Sequence, residues 1–127
     1  MEHTFFFDGN QKKIAWAIKT QNNVKSQSRD HAEIYLDKVS NEQSKYIALH
    51  VGIFWCIGVF IIKNEEIVNV MIDTDSIFNH LNNKEEQSDS FIDKRTKFIE
   101  QLIDQRGLQI KYHKISKSEN QAAKLVG

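Results

Sequence analysis

The stretch from Ile67 to Leu81 passes from β-branched and sulfur-bearing side chains into Asp73 and Asp75 and then into a short helical segment. An apolar run of this kind sits inside a sheet, and the change to polar residues at its carboxyl end puts both aspartates at the edge where α/β folds bind ligands. Upstream, Thr4-Phe5-Phe6-Phe7-Asp8-Gly9 predicts a first strand that ends in an aspartate and a turn glycine. From Lys13 to Lys19 the large apolar groups Ile14, Trp16 and Ile18 alternate, which predicts a second strand forming a hairpin with the first. A polar stretch from Gln21 to Arg29 follows, and His31 to Asp37 alternates again as a third antiparallel strand.

Ser40-Asn41-Glu42-Gln43 has the spacing of a capping box, and Tyr46 to Ile62 is apolar except for His50. Two readings compete for that run. A bilayer span needs about 20 residues, slightly more than are present. A central helix covered by sheet and by other helices is equally apolar, with Gly52 and Gly58 allowing close packing or a stop. The flanking segments pattern as one globular fold, so the second reading is preferred and no membrane role is expected. Asn82 to Ser88 is a charged loop. Ser90 is the expected cap of a long amphipathic helix bearing Phe91, Ile92, Phe98, Ile99, Leu102 and Ile103, closed by Gly107. Leu108 to Tyr112 alternates as a fifth strand, and Ser116 or Ser118 caps a last short helix.

Length adds one constraint: 127 residues make a single domain able to bury a core without staples. Seventeen basic residues balance seventeen acidic ones, so nucleic-acid binding would have to come from a local patch. One cysteine, Cys56, lies in the apolar run and points to a packing role in a reducing compartment. The first residues, Met-Glu-His-Thr-Phe, lack the basic start and apolar core of a signal peptide, which gives a cytoplasmic expectation. There are no internal repeats.

The element order is three strands, helix, strand, helices, strand, helix. Four places then carry a resemblance: Phe7-Asp8-Gly9, the run Ser40 to Leu49 at the start of the central helix, Thr74-Asp75-Ser76, and Asn120-Gln121-Ala122-Ala123-Lys124. In this order and on these elements they resemble the type 1 ribonuclease H family over nearly the whole chain. The resemblance implies an α/β fold with a five-stranded mixed sheet, three antiparallel strands then two parallel, flanked by helices on both faces. It also implies four carboxylates that hold two magnesium ions for phosphodiester hydrolysis, because hard cations take oxygen ligands.

Against that pattern Asp8 and Asp75 match, whereas Lys45 and Lys124 stand where the family has acidic residues. A charged lysine has donors and no lone pair, so it cannot ligate a metal. Two aspartates facing two lysines are already neutral, and the expectation is that Lys45 and Lys124 occupy the metal positions, that Asp8 and Asp75 bind metal weakly or not at all, and that no cofactor is used. The alternative is an active magnesium- or manganese-dependent hybrid ribonuclease with a rearranged site, for which Asp73 and Glu42 are spare carboxylates.

For nucleic acid, the family resemblance directs attention to Asn10, Lys12, Lys13, Asn41 and Ser76 beside the site, with further bases at Lys94, Arg95, Lys97, Lys111, Lys114 and Lys117. An ordinary charged helix face explains Lys94 to Lys97 equally well, since Asp93, Glu100 and Asp104 interleave there. His31, His50, His80 and His113 show no metal spacing. Three functions follow: a catalytically inactive module that binds RNA/DNA hybrid or double-stranded RNA or serves as a protein-interaction module; an active hybrid ribonuclease; or a structural subunit that meets a protein partner or a second copy through the apolar helix around Phe54, Trp55, Val59 and Phe60.

Overall fold

Two strands buried on both faces make the first hairpin. The computed structural model describes residues 1–127, and in it β1 (Glu2–Gly9) and β2 (Lys13–Thr20) pair antiparallel with Phe7 opposite Trp16 and Asp8 opposite Ala15. Trp16, Phe5 and Ile18 are among the largest fully buried side chains. Here β3 is Asn23–Asp30, joined to β2 through a tight turn at Gln21, whose φ of 55° is left-handed.

The third strand therefore corrects the expectation of His31 to Asp37, which forms a turn segment in which Ile34 is two-thirds exposed. The reason is its place in the sheet. Strand order is β3-β2-β1-β4-β5, so β3 is an edge whose side chains lie almost entirely in solvent, and it needs no apolar alternation.

α1 (Asn41–Gly58) begins with the capping box, Ser40 Oγ accepting from Gln43 N and Gln43 Oε1 accepting from Ser40 N. It ends four residues before Ile62, and no helix is long and apolar enough to cross a membrane. β4 (Ile67–Ile72) lies parallel to β1 and to β5 (Gln109–Lys114). Between them run α2 (Asp75–Asn83) and α3 (Ser90–Arg106). Asp89, not Ser90, caps α3, its carboxylate accepting from the Phe91 and Ile92 amides, and Gly107 at φ 61° closes it in the left-handed conformation.

A core of Phe5, Trp16, Tyr46, Leu49, Ile53, Val70, Ile77, Ile92 and Ile99 lies between the sheet and α1, α2 and α3. Cys56 is buried in it, and burial pushes its thiol up to about 12. The opposite face is smaller: Phe6, Ala15 and Ala17 meet Ala122, Leu125 and Val126 beneath α4 (Ala123–Val126). This is the five-stranded mixed sheet with helices on both faces that the element order predicts. Gly52 lets α1 lie close on the sheet, since a Cβ there would come 2.9 Å from the Trp16 ring.

Candidate functional site

Parallel pairing of β1 with β4 brings two strand ends together, and an aspartate stands at each. Asp8 is the last residue but one of β1 and Asp73 directly follows β4; both side chains are almost wholly buried. Over them comes the first turn and a half of α1. Gly9 permits this approach, because a Cβ there would stand 2.8 Å from the Ser44 carbonyl. His31 Nε2, 2.7 Å from Ser44 Oγ and 3.0 Å from the Asn10 carbonyl, pins the same junction.

The residue after Ser44 reaches into the gap. Lys45 Nζ is 3.8 Å from Asp8 Oδ1 and 3.5 Å from Asp73 Oδ1, and it donates to Thr74 Oγ1 at 2.8 Å. The Thr74 hydroxyl in turn donates to Asp73 Oδ1 at 3.0 Å. On the other side, Asn120 Nδ2 donates to Asp73 Oδ2 at 2.9 Å and to the Phe7 carbonyl at 3.0 Å, while its Oδ1 accepts from Ala122 N. Every polar atom of this buried amide is engaged, so its orientation is fixed.

The electrostatics of the two carboxyls differ. Burial pulls Asp73 upward, but the Asn120 hydrogen bond, the Lys45 charge and the Thr74 hydroxyl outweigh it and hold the group below its ordinary value. For Asp8 burial wins: the Gly9 amide, Lys45 and the more distant Lys117 oppose it, Asp73 adds repulsion, and the carboxyl is raised.

Not all the expected residues meet here. Asp75 is the first residue of α2, 88% exposed, and pairs with Lys114 at 3.2 Å. Lys124 is exposed on α4 and makes no ion pair. Asp73, read from sequence as a spare carboxylate, is the one that Lys45 faces, and Asn120 takes the place expected of Lys124. The signal for Asp73 was its position immediately after the last apolar strand residue; for Asn120 the sequence carries none beyond its closeness to the last helix.

Asn10 is consumed by its own turn: Oδ1 accepts from the Lys12 and Lys13 amides and Nδ2 donates to the Val126 carbonyl. Lys12 pairs with Asp37 at 2.8 Å and Lys13 with Asp30 at 3.7 Å, both in solvent. Asn41 is exposed at the start of α1, and Ser76 donates to Glu42. Lys114 and Lys117 are basic groups near the aspartates, whereas Lys94 and Arg95 belong to another face, toward Tyr35 and His50.

Comparison with solved structures decides the architecture. A ribonuclease H1 from the halophilic archaeon Halobacterium salinarum superposes with a TM-score of 0.80 at 12% identity, covering 99% of this chain and 94% of that one. The chain adopts the ribonuclease H-like fold. The N-terminal ribonuclease H domain of a Mycobacterium tuberculosis protein gives the same TM-score at 13% identity, covering 98% of this chain and 90% of its own. A compost-derived ribonuclease H1 in complex with an RNA/DNA hybrid gives 0.72 at 15% identity, covering 98% and 92%. No family model and no curated protein matches the sequence.

On a ribonuclease H-like scaffold a pair of divalent ions is the implied cofactor, and this donor set does not fit one. Two carboxylates are too few oxygens for two hard cations, and an ammonium and an amide N–H point where lone pairs would be needed. No group of three or more histidine, cysteine or carboxylate side chains is gathered closely enough to hold a metal.

Proposed function

We propose that this protein is a ribonuclease H-like module that binds nucleic acid, with an RNA/DNA hybrid as the first candidate, and does not hydrolyse it. The observation that carries the reading is the Lys45 ammonium within 4.0 Å of both Asp8 and Asp73. It supplies the positive charge that divalent ions bring to such a site, but it offers no Lewis acid and no bound water to activate. The four positions that the family fills with carboxylates are, on this reading, Asp8, Lys45, Asp73 and Asn120.

Binding is supported by the compost enzyme's complex with a hybrid, a molecule that shares this fold. Lys117, which acts on Asp8, is exposed, Lys114 lies opposite Ile72 next to Asp73 and pairs with Asp75, and Asn41 is exposed at the start of α1; a wide RNA-type minor groove is met through such polar and basic contacts. With no net charge on the chain and few basic groups at the site, affinity is expected to be modest and its decline with salt shallow.

The test is a labelled RNA/DNA hybrid, assayed for binding and for cleavage in magnesium or manganese, with wild type beside Lys45→Glu/Asn120→Asp. Binding without cleavage in the wild type, and metal-dependent cleavage in the double variant, is the expected result. Wild-type cleavage abolished by Asp73→Asn would overturn the reading and establish a rearranged metal site.

A further inference from the structure

A second feature lies on the outer face of α1 and α3, away from the aspartates. Arg95 is half-buried, yet no carboxylate lies within 4.0 Å of it, and all eight ion pairs of the chain are made by other residues. A partly desolvated cation is ordinarily paired. Arg95 is instead held in place by neutral groups. Its guanidinium lies 5.8 Å from the Tyr35 ring centroid and 5.4 Å from that of Phe91, donates to Tyr35 Oη at 2.9 Å, and lies 3.2 Å from His50 Nδ1. Stacking and hydrogen bonds of this kind fix the fork without neutralising it.

The surroundings form a cleft of about 350 Å³ lined by Tyr35, His50, Phe91, Lys94, Arg95 and Phe98. It continues along α1 past Val51 to Phe54. Its acceptors His50 Nδ1 and Tyr35 Oη are both taken by Arg95, which leaves donors to offer. A guanidinium has no lone pair, so His50 Nδ1 accepts from Arg95 and Nε2 is the ring nitrogen left to donate; burial and the Arg95 charge also lower the pKa of His50. Tyr35 Oη accepts from Arg95 and keeps its own hydrogen to give. Lys94 is exposed and makes no ion pair, and no aspartate or glutamate lines the cleft. Large apolar surface borders these donors: Phe54 is 62% and Phe98 46% exposed, the latter stacked on His50 at 6.2 Å.

We propose that this cleft is a docking site for a segment of a partner protein that presents a carboxylate beside large apolar side chains. Charge complementarity selects the partner: donors without an acceptor call for an anionic acceptor, and the flanking phenylalanines call for apolar groups on either side of it. A nucleic-acid strand fits less well, because its repeating phosphates need a row of cations and the next basic residue on α3, Lys97, is paired with Asp93 at 3.1 Å. Phe91, Lys94, Arg95 and Phe98 fall at the i, i+3, i+4, i+7 spacing of one helical face, so α3 presents all four on the same side.

The experiment is an NMR titration of the isotope-labelled full chain with a blocked peptide of Asp, Leu and Phe, with the same peptide carrying Asn for Asp, and with oligothymidylate. Expected are saturable shifts confined to the cleft residues, binding about tenfold weaker for the Asn peptide and for Arg95→Gln, and a comparable loss for Phe54→Ser, an exposed position whose change leaves the core intact. Asp75→Asn, at a solvated position away from the cleft, is expected to leave peptide binding unaltered. Absence of binding by the acidic peptide, equal binding of its Asn analogue, or shifts outside the cleft would overturn the proposal. So would stronger shifts of these residues with oligothymidylate that Arg95→Gln removes, which would assign the cleft to nucleic acid.

Discussion

Lys45 Nζ lies 3.5 Å from Asp73 Oδ1, and one hydroxyl, that of Thr74, links the two by accepting from the first and donating to the second. The contact joins the start of a helix to the end of a strand, and its partners are mostly out of water. Removing one partner leaves the other buried and uncompensated, which is the costly way to break such a pair. Asp73→Asn is therefore expected to lower stability by about 2–3 kcal/mol, somewhat less than for a fully buried pair because Asp8 still faces the ammonium. Asp75→Asn, at a solvated position, is expected to change it by less than about 0.5 kcal/mol. Urea denaturation of the two variants separates the carboxylate that belongs to the cluster from the one that only adjoins it; equal effects would contradict this assignment.

The sequence showed most of the architecture and only part of this cluster. The apolar run of Phe5 to Phe7 ending in Asp8 and Gly9, the alternation from Ile14 to Ile18, the capping box at Ser40 and the glycine at 107 are local signals, and the elements stand where those signals put them. β3 was hidden because an edge strand with both faces wet has no hydrophobic period, while the nearby alternation of Ile34 and Leu36 turned out to be exposed loop. Asp73 and Asp75 both flank the strand end, and only the point at which the backbone turns into α2 tells which one faces α1. Asn120 was out of reach for another reason: its role comes from contacts with Phe7 and Asp73, more than forty residues away along the chain, and no local pattern encodes them.

The two aspartates should leave opposite marks on stability against pH. Asp73 titrates below its ordinary value of 3.8 in the folded state, so its contribution is fully present above that value and is lost as pH falls through the folded pKa. Asp8 titrates above 3.8, so the native state binds its proton more readily, and that favourable contribution is lost as pH rises through the folded pKa. The acid limb below 3.8 is expected to flatten in Asp73→Asn, whereas Asp8→Asn is expected to remove a decline just above it. Denaturant titrations from pH ~2 to ~7 would show both slopes, and a steeper acid limb in Asp73→Asn would refute the assignment.

The approach of α1 to the end of β1 makes Gly9 sensitive. An added methyl group meets backbone at Ser44, which cannot swing aside as a side chain would. Gly9→Ala is expected to cost about 1–3 kcal/mol and to displace Lys45 from the aspartates. Gly58→Ala, at a position with open space around it, is expected to stay within about 0.5 kcal/mol of wild type. Thermal melts of the pair test this; a harmless Gly9→Ala would mean that the helix rides higher on the sheet than its contacts indicate.

The polar character of β3 has an effect beyond concealing the strand from a periodicity search. An edge strand offers unpaired amides and carbonyls to any neighbouring chain, and a long apolar edge invites sheets to join and grow. Here Lys25, Arg29 and Asp30 stand along that edge with polar residues between them, and Lys111, His113 and Lys114 line the opposite edge on β5. Joining two such sheets edge to edge would strip water from these groups and set like charges against one another. The polar residues that hide β3 also close the sheet at that edge, and the bases of β5 close it at the other.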